Sequence, residues 1–235
     1  MSPRAAPPAT TRPDTDLRTA ILDAARHLIA ANGHRDVSMR DIAGDVGCSV
    51  SSLYLYFANR DALIHTLIDE GFQHWYDEQL AIEDRHAEPW ARLEAVARGY
   101  VEFGLGNAEV YEIMYMFHPR SMERLPKELY RRARRGFDRV AQTVLACAPA
   151  AAPAGTLADD VARELAAAAW ATLHGVVSTI LTERLDARID RRGYIERAVR
   201  FAMDGVRAGI GGRPAGTADP AAALPHPPRA ESRDP

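Results

Sequence analysis

The sequence predicts an all-α protein, with a small N-terminal three-helix domain and a larger C-terminal helical domain. Apolar residues recur at helical spacing along most of the chain, and no clear strand pattern occurs. Ten of the fifteen prolines lie in residues 1–14 and 211–235, so proline barely interrupts the part between them. Both ends are rich in Pro and Ala without periodicity, and we expect them to be disordered tails.

Composition limits the classes to which this chain can belong. Its 235 residues, 47% of them hydrophobic, suffice for one or two globular domains with a sizeable core. The two cysteines, Cys48 and Cys147, make no disulfide framework and fit a reducing cytoplasm. The N-terminus lacks the apolar region of a secretory signal, and no apolar run of about 18 residues indicates a membrane span.

The first helix is predicted over residues 16–32 and ends at Asn32-Gly33. Its apolar positions step by three and one along the chain: Leu17, Ala20, Ile21, Ala24, Ala25, Leu28 and Ile29. Such a stripe supplies a core for the short helices that follow, which could not hold their shape alone.

Residues 38–60 are typical of two short helices joined by a tight turn. Ser38 is placed to cap the first of them, and Gly47 to end it where positive φ is required. The apolar face of that helix falls at i, i+3, i+4 and i+7, in Met39, Ile42, Ala43 and Val46. Ser49 is placed to cap the second helix, and its inner face is Val50, Leu53 and Phe57. This is a helix-turn-helix, whose second helix lies in a DNA major groove.

Hydroxyl, phenol and guanidinium groups surround the second short helix, and all are suited to phosphates and base edges. The candidate DNA-binding residues are Ser38, Arg40, Ser49, Val50, Ser51, Ser52, Tyr54, Tyr56 and Arg60. Tyr54 and Tyr56 are about 200° apart around a helix, so both cannot face the core and at least one hydroxyl should be exposed. We expect both to contact phosphates, and Val50, Ser51 and Ser52 at the helix start to face base edges.

This segment resembles the DNA-binding domain of the TetR family of bacterial transcriptional regulators. The family pattern is T/S-x-x-x-I-A-x-x-x-G-V-S-x-x-x-L-Y-x-Y/H-F-x-x-K-x-x-L. The chain matches it in register at Ser38, Ile42, Ala43, Gly47, Ser49, Leu53, Tyr54, Tyr56, Phe57 and Leu63. It departs at Cys48, where valine is usual, and at Arg60, where arginine keeps the charge of the usual lysine. The resemblance covers roughly residues 17–66 and implies a DNA-binding regulator.

Residues 1–62 contain seven arginines and seven aspartates, so this region is neutral. DNA affinity must then depend on how the charges are arranged, and we expect modest non-specific binding. The neutrality also favours an alternative function, a helical small-molecule carrier or sensor with a non-functional DNA head.

After Asn59 the sequence predicts a long linking helix and then helices over about 89–105, 107–118, 126–147, 157–186 and 190–209. We therefore assign residues 15–62 to the helix-turn-helix domain and 63–210 to effector binding and dimerisation. The stretch Trp170-x-x-x-His174-Gly175 resembles a signature of one TetR subgroup, which implies a homodimer through the last two long helices. Small residues within 161–181 would allow close helix approach.

In the family, equivalent helices enclose an effector pocket. The candidate pocket residues are Tyr100, Phe103, Tyr111, Met114, Tyr115, Phe117, Trp170 and His174. An apolar pocket with few polar groups would suit a lipophilic effector, although ordinary core packing is the alternative for each residue.

Other motifs favour simpler interpretations. Cys48 could be a redox switch, but a small buried residue replacing valine is the simpler assignment. The basic run over 127–139 could bind nucleic acid, but a solvated helix face is favoured. No metal spacing, nucleotide fingerprint or catalytic pattern was recognised, so we expect no metal, cofactor or enzyme. The sequence predicts a cytoplasmic, ligand-responsive regulator, most simply a repressor released from a pseudo-palindromic operator by a small lipophilic effector, with no membrane association.

Overall fold

The computed structural model describes residues 14–32, 37–116, 126–148 and 158–211. These ranges form the helices α1 (Asp14–Asn32), α2 (Met39–Val46), α3 (Val50–Tyr54), α4 (Arg60–Glu83), α5 (Pro89–Gly106), α6 (Ala108–Tyr115), α7 (Lys127–Ala146), α8 (Asp159–Leu181) and α9 (Arg191–Ile210). They contain no strand, which confirms the all-α prediction. The expected tails fall outside the described residues except at Asp14 and Gly211, and so does Phe117.

The local signals of the helix-turn-helix act as the sequence predicts. Ser38 caps α2 in a reciprocal capping box: its Oγ accepts from the Asp41 amide at 3.3 Å, and its own amide donates to the Asp41 carboxylate at 2.8 Å. Gly47 ends α2 at φ 74°, in the left-handed region. These two residues set the length of α2 and the turn into α3.

The helices enclose two separate apolar cores. The first core is formed by α1, α2 and α3 with the first half of α4, and we call it the head core. The second core lies among α5, α7, α8 and α9, and it includes Trp75 from the second half of α4. The helix α4 therefore belongs to both, because its N-terminal half packs on the head and its C-terminal half on the larger bundle.

The short helix α6 also joins the two cores. Ile113 is 2% exposed and belongs to the head core, whereas its neighbour Met114 belongs to the second core. Gly71 lets α4 and α6 approach closely, because a Cβ there would lie 2.7 Å from the Met114 sulfur and 2.9 Å from Val110. The two cores are thus in contact through α6.

Two helix ends differ from prediction. The helix α3 stops at Tyr54, so Phe57 enters the head core from the turn beyond it. The helix α8 stops at Leu181 rather than residue 186, because Glu183 adopts a left-handed conformation at φ 54°. The amides of Glu183 and Arg184 then bond back to the Ile180 and Thr179 carbonyls, in a helix-ending motif usually made by glycine.

The alanine-rich helix α8 is long and apolar enough to cross a membrane by length and composition alone. One such helix is weak evidence of a span, since core helices of soluble proteins have the same character. Its inner face supplies Ala162, Ala166, Leu173 and Val177 to the second core.

Candidate functional site

Four of the exposed side chains of the helix-turn-helix are suited to contact DNA. Arg40 lies on α2 and Ser51 on α3, and both face solvent. Tyr54 is 53% exposed, so it meets the expectation that at least one of the two phenols is outside. Leu55, which the sequence analysis did not select, is 84% exposed directly after α3.

The three other serines of the predicted DNA-binding set take part in helix capping. Ser49 Oγ accepts from the Ser52 amide at 3.1 Å, and the two hydroxyls lie 2.8 Å apart. Ser38 Oγ is held by Asp41, as described above. Their predicted DNA contacts would therefore compete with, or be shared with, these capping hydrogen bonds.

Arg60 ties the start of α4 to the segment before α2. Its Nε donates to the Val37 carbonyl at 2.7 Å, while Nη1 lies 3.7 Å from Asp61. Its Nη2 is buried without a hydrogen-bond partner in the described part of the chain. Val50 and Tyr56 are partly buried against the head core. These three residues of the predicted DNA set thus have structural roles, and their contacts with DNA stay predictions.

A cavity of about 820 Å³ lies inside the C-terminal bundle and is here called the chamber. Helices α4 to α9 all contribute to its wall. The lining side chains are His65, Ile68, Phe72, Trp75, Leu93, Val96, Ala97, Tyr100, Met114, Tyr115, Tyr130, Ala133, Arg134, Gly136, Phe137, Val140, Ala166, Ala167, Ala169, Trp170, Leu173 and Met203. The wall is mainly aliphatic and aromatic, as expected of a site for an apolar ligand.

The eight predicted pocket residues divide into three groups. Tyr100, Met114, Tyr115 and Trp170 line the chamber. Phe103, Tyr111 and His174 are not among the side chains that line it, and a role for them in ligand binding stays a prediction. Phe103 instead packs its ring 5.4 Å from that of Trp75, behind the wall. Phe117 lies outside the described residues.

A chain of hydrogen bonds runs behind one wall of the chamber. The Trp170 indole N–H donates to the Tyr100 hydroxyl at 2.9 Å. The Tyr100 and Tyr111 hydroxyls lie 2.9 Å apart, and the Tyr111 hydroxyl lies 2.6 Å from His174 Nδ1. If each phenol donates once, the chain ends on the unprotonated Nδ1 of a neutral imidazole. Tyr111 and His174 therefore orient the side chains that form the wall.

The ionisation of this chain favours its neutral form. Burial raises the pKa of Tyr111 to about 12 and raises the pKa of Tyr100 well above its usual range. Burial lowers the pKa of His174 below its usual 6.5. At neutral pH both phenols keep their protons and His174 is uncharged, as the hydrogen-bond chain requires.

The chamber wall also contains residues that the sequence analysis missed. Trp75 and Phe72 come from the linking helix α4, whereas Phe137 and Arg134 come from the basic helix α7. The basic side of α7 is not simply solvated: Arg132 pairs with Asp69 at 2.9 Å, and Arg139 donates its Nε to Glu83 at 2.9 Å. These ion pairs attach α7 to α4. The described residues contain no group of three side chains placed to hold a metal ion.

A helix-turn-helix with exposed polar side chains, joined to a helical bundle around an apolar cavity, is the architecture of a DNA-binding regulator. Residues 21–67 match the tetR family of bacterial regulatory proteins, and residues 93–202 match the tetracyclin repressor-like C-terminal domain. The chain belongs to the TetR family of transcriptional regulators. No protein with a curated function matches the sequence.

Several solved structures share this fold, and the alignments include nearly the whole of each of those chains. A TetR-like transcriptional regulator from Rhodococcus sp. RHA1 is 16% identical, with TM-score 0.62 over 86% of this chain and 100% of the other. A TetR-family regulator from Bordetella parapertussis 12822 is 20% identical, with TM-score 0.61 over 81% and 95%. The fatty acid degradation regulator FadR from Bacillus halodurans is 15% identical, with TM-score 0.60 over 83% and 97%. At these identities the likeness concerns the fold.

Proposed function

We propose that this DNA-binding regulator is a repressor that a small lipophilic effector releases from its operator. The observation that carries the proposal is the position of α6 between the head core and the chamber. Ile113 is buried in the head core, and its neighbours Met114 and Tyr115 line the chamber. We expect a ligand that displaces Met114 or Tyr115 to shift α6 and so to move Ile113 within the head.

The release of DNA is a shift between two populations of the protein. The effector favours the state in which the head is displaced, and the operator favours the other. Coupling of this kind is reciprocal, so saturating operator must weaken effector binding by the same factor as effector weakens operator binding. Equal effector affinity with and without operator would show that the two sites are not coupled.

We propose a homodimer through α8 and α9. Only 28% of the most apolar 18-residue window of α8 is buried within one chain, although its composition is that of a buried helix. Phe201 on α9 is 70% exposed, which is unusual for a large apolar side chain. A second copy would cover both helices and place two α3 helices about one DNA turn apart, as a pseudo-palindromic operator requires.

The exposed residues of the head provide the predicted DNA contacts. Arg40 and Tyr54 are placed to reach phosphates, and Ser51 to reach a base edge. Leu55 extends this set, because an exposed leucine beside a recognition helix suits a thymine methyl group. Arg60 is a weaker candidate than the motif implies, since its Nε already bonds to Val37.

The chemistry of the wall makes the effector a lipophilic molecule of drug-like size, since sites for such ligands are mostly apolar and of similar volume. The relative from Bacillus halodurans is named as a regulator of fatty acid degradation, and an acyl chain is one ligand that this wall would accept. The carrier or sensor with a silent head is the second candidate, favoured by the equal numbers of arginine and aspartate in residues 1–62.

Fluorescence anisotropy tests the DNA-binding function. DNA from upstream of the protein's own coding region is titrated at two salt concentrations, with random-sequence DNA as the comparison. We expect specific binding about 10³-fold tighter than random binding, and affinity that falls with salt. Arg40→Ala combined with Tyr54→Phe should weaken binding to all DNA and reduce the salt dependence. These two positions are preferred to Arg60, because removing Arg60 would also break its hydrogen bond to the segment before α2 and so change the structure of the head.

The control is Arg188→Ala, which removes an exposed arginine outside the helix-turn-helix whose ion pair in the described part of the chain is with Asp186. It should leave DNA binding unchanged. If the upstream DNA is not preferred, selection from a random library identifies the operator. Failure of that selection to enrich any palindrome would favour the carrier or sensor instead.

A further inference from the structure

We infer that the ligand of the chamber is an amphipathic anion, with its apolar body inside and a carboxylate or phosphate head at Arg134. The inference rests on the proposed function, because it assumes that the chamber is a ligand site. It specifies the chemistry and the orientation of that ligand.

The interior of the chamber has little to offer a polar ligand. Among the polar groups of its wall, the Trp170 indole N–H and the Tyr100 hydroxyl are already bonded to each other and to Tyr111. The other polar side chains of the wall are His65, Tyr115, Tyr130 and Arg134, and the rest of the surface is formed by apolar side chains such as Phe72, Phe137 and Leu93. A buried polar group without a partner is costly, so the inner part of the ligand must be apolar.

Arg134 is the only arginine or lysine among the described residues that line the chamber, and no carboxylate is among them. A cationic ligand would therefore find no counter-ion there, whereas an anion would find a guanidinium with several donors. Arg134 is also available: its side chain is 48% exposed and its nearest carboxylate, Asp138, is 3.8 Å away. A pair that is so open contributes little and can exchange for a ligand carboxylate.

A second cavity continues from this point. It has a volume of about 530 Å³ and shares Tyr130 and Arg134 with the chamber. Its other lining side chains are largely polar: Arg131, Asp138, Ala141, Gln142, Leu145, Asp159 and Arg163. Arg163 forms no ion pair with any residue that the structure describes, and Arg131 pairs with the exposed Glu128. The polar cavity adjoins the chamber at Arg134. We therefore place the polar head of the ligand at Arg134 and its apolar body in the chamber.

Two kinds of molecule share this chemistry. A free long-chain carboxylate would end at Arg134. A long-chain thioester of coenzyme A would pass Arg134 with its carrier, whose phosphates would continue into the polar cavity toward Arg131 and Arg163. The site is the same in both cases, and the two sources differ only in the use of the polar cavity.

Matched probes with one chain and different heads test the inference without DNA. Quenching of intrinsic fluorescence reports occupancy, because two of the three tryptophans, Trp75 and Trp170, line the chamber. The probes are dodecanoate, 1-dodecanol and dodecyltrimethylammonium, below their micelle concentrations. We expect dodecanoate to bind about tenfold more tightly than dodecanol, since a partly exposed charge-assisted hydrogen bond has about that effect. The ammonium should bind most weakly.

Arg134→Gln should remove the advantage of dodecanoate and leave the affinity for dodecanol unchanged. Lys127→Gln is the control, because Lys127 is an exposed cation on the same helix and lines neither cavity. Equal affinities for the three heads, tighter binding of the ammonium, or no binding by dodecanoate would overturn the inference. An equal loss of both probes in Arg134→Gln would do the same, because it would indicate a general loss of chamber shape.

Dodecanoyl-coenzyme A distinguishes the two sources. If it binds more tightly than dodecanoate, and Arg131→Gln with Arg163→Gln removes only that gain, the ligand is of the thioester type. If those variants have no effect on either probe, it is a free carboxylate. This comparison concerns only the use of the polar cavity, and the anion at Arg134 is tested by the dodecanoate and dodecanol probes. Operator release by the bound probe is measured separately. A ligand that binds but releases no DNA would contradict the proposed repressor and leave the ligand chemistry intact.

Discussion

The head and the C-terminal bundle are built from similar helices but treat their interiors differently. In the head, Ile21, Ile42 and Leu53 are at most 1% exposed, and serine caps fix the ends of α2 and α3. The bundle surrounds an open volume of about 820 Å³. A packed interior resists change of shape, whereas an open one gains stability when a ligand fills it. The first region is therefore suited to hold a surface in position, and the second to respond to occupancy.

The short helix α6 forms much of the contact between the two regions. One short helix, α6, gives Ile113 to the packed interior and Met114 to the open one. Gly71 on α4 leaves no space for a side chain against α6, so movement of α6 is transmitted to α4 as well. Three predictions test whether this division into a packed head and an adjustable bundle is correct.

The largest effect should follow from Ile113→Ala. Removing a side chain that is 2% exposed leaves a cavity in the head core, and we expect a loss of about 2–5 kcal/mol in the free energy of unfolding. Denaturant unfolding measures it, with Met116→Ala as the control because Met116 is 36% exposed at the end of the same helix. If α6 connects the regions as described, the folded variant should also lose the coupling between effector and operator. An equal cost for both substitutions would show that Ile113 is not part of the packed interior.

Much of the head could be predicted from sequence because its determinants are local. The capping of α2 by Ser38, the left-handed Gly47 and the apolar spacing of α1 all depend on residues within a few positions of one another. That at least one of Tyr54 and Tyr56 is exposed followed from helix geometry, and the structure exposes Tyr54. Arg60 shows the limit of a motif, since only the folded chain brings its Nε to the carbonyl of Val37.

The chamber was less predictable because its wall depends on contacts between distant helices. Trp75 and Phe137 line it only because α4 packs against α7, and neither carries a local signal of that orientation. Tyr111 and His174 were selected for their residue type, but the fold places them behind the wall, where they bond to each other. The early end of α8 escaped prediction because Glu183 occupies a position where glycine is the usual signal.

A smaller loss of stability is expected at Gly104, where the absence of a side chain allows α5 to pack closely against its neighbours. A Cβ on Gly104 would lie 2.7 Å from Val177 and 2.9 Å from the Tyr111 ring, so Gly104→Ala must move side chains that are fully buried. Overpacking costs about 1–3 kcal/mol and the better helix propensity of alanine returns about 1 kcal/mol, so we expect a net loss of roughly 1 kcal/mol.

Gly106→Ala is the matched control, because no atom lies within 4 Å of a Cβ at Gly106, in the last turn of the same helix. Thermal unfolding should distinguish the two variants. A stabilised Gly104→Ala protein would show that the packing around Val177 and Tyr111 adjusts to an added methyl group. The packed part of the bundle would then be as adjustable as the chamber.

The smallest effect concerns pH. Burial lowers the pKa of His174, so between that lowered pKa and the usual 6.5 the unfolded chain binds more protons than the folded one. The contribution of His174 to stability is therefore complete above pH 6.5 and is lost as the pH falls through the folded pKa. Protonation also places a proton on Nδ1, where the hydrogen bond from Tyr111 must be accepted, and so it breaks the chain that orients Trp170.

His174→Asn tests this, because the Asn oxygen can accept the same hydrogen bond and does not titrate. We expect the Tm of the wild type to fall more than that of the variant between about pH 7.5 and about pH 5, a range that spans the usual histidine pKa. Quenching of Trp170 by dodecanol, a probe without charge, should weaken in parallel in the wild type alone, since His174 stacks on Trp170 with ring centres 5.0 Å apart. The other titrating groups are common to both proteins and cancel in the comparison. Parallel pH profiles would mean that His174 is neutral or charged without consequence for the wall, and that the orientation of Trp170 comes from packing alone.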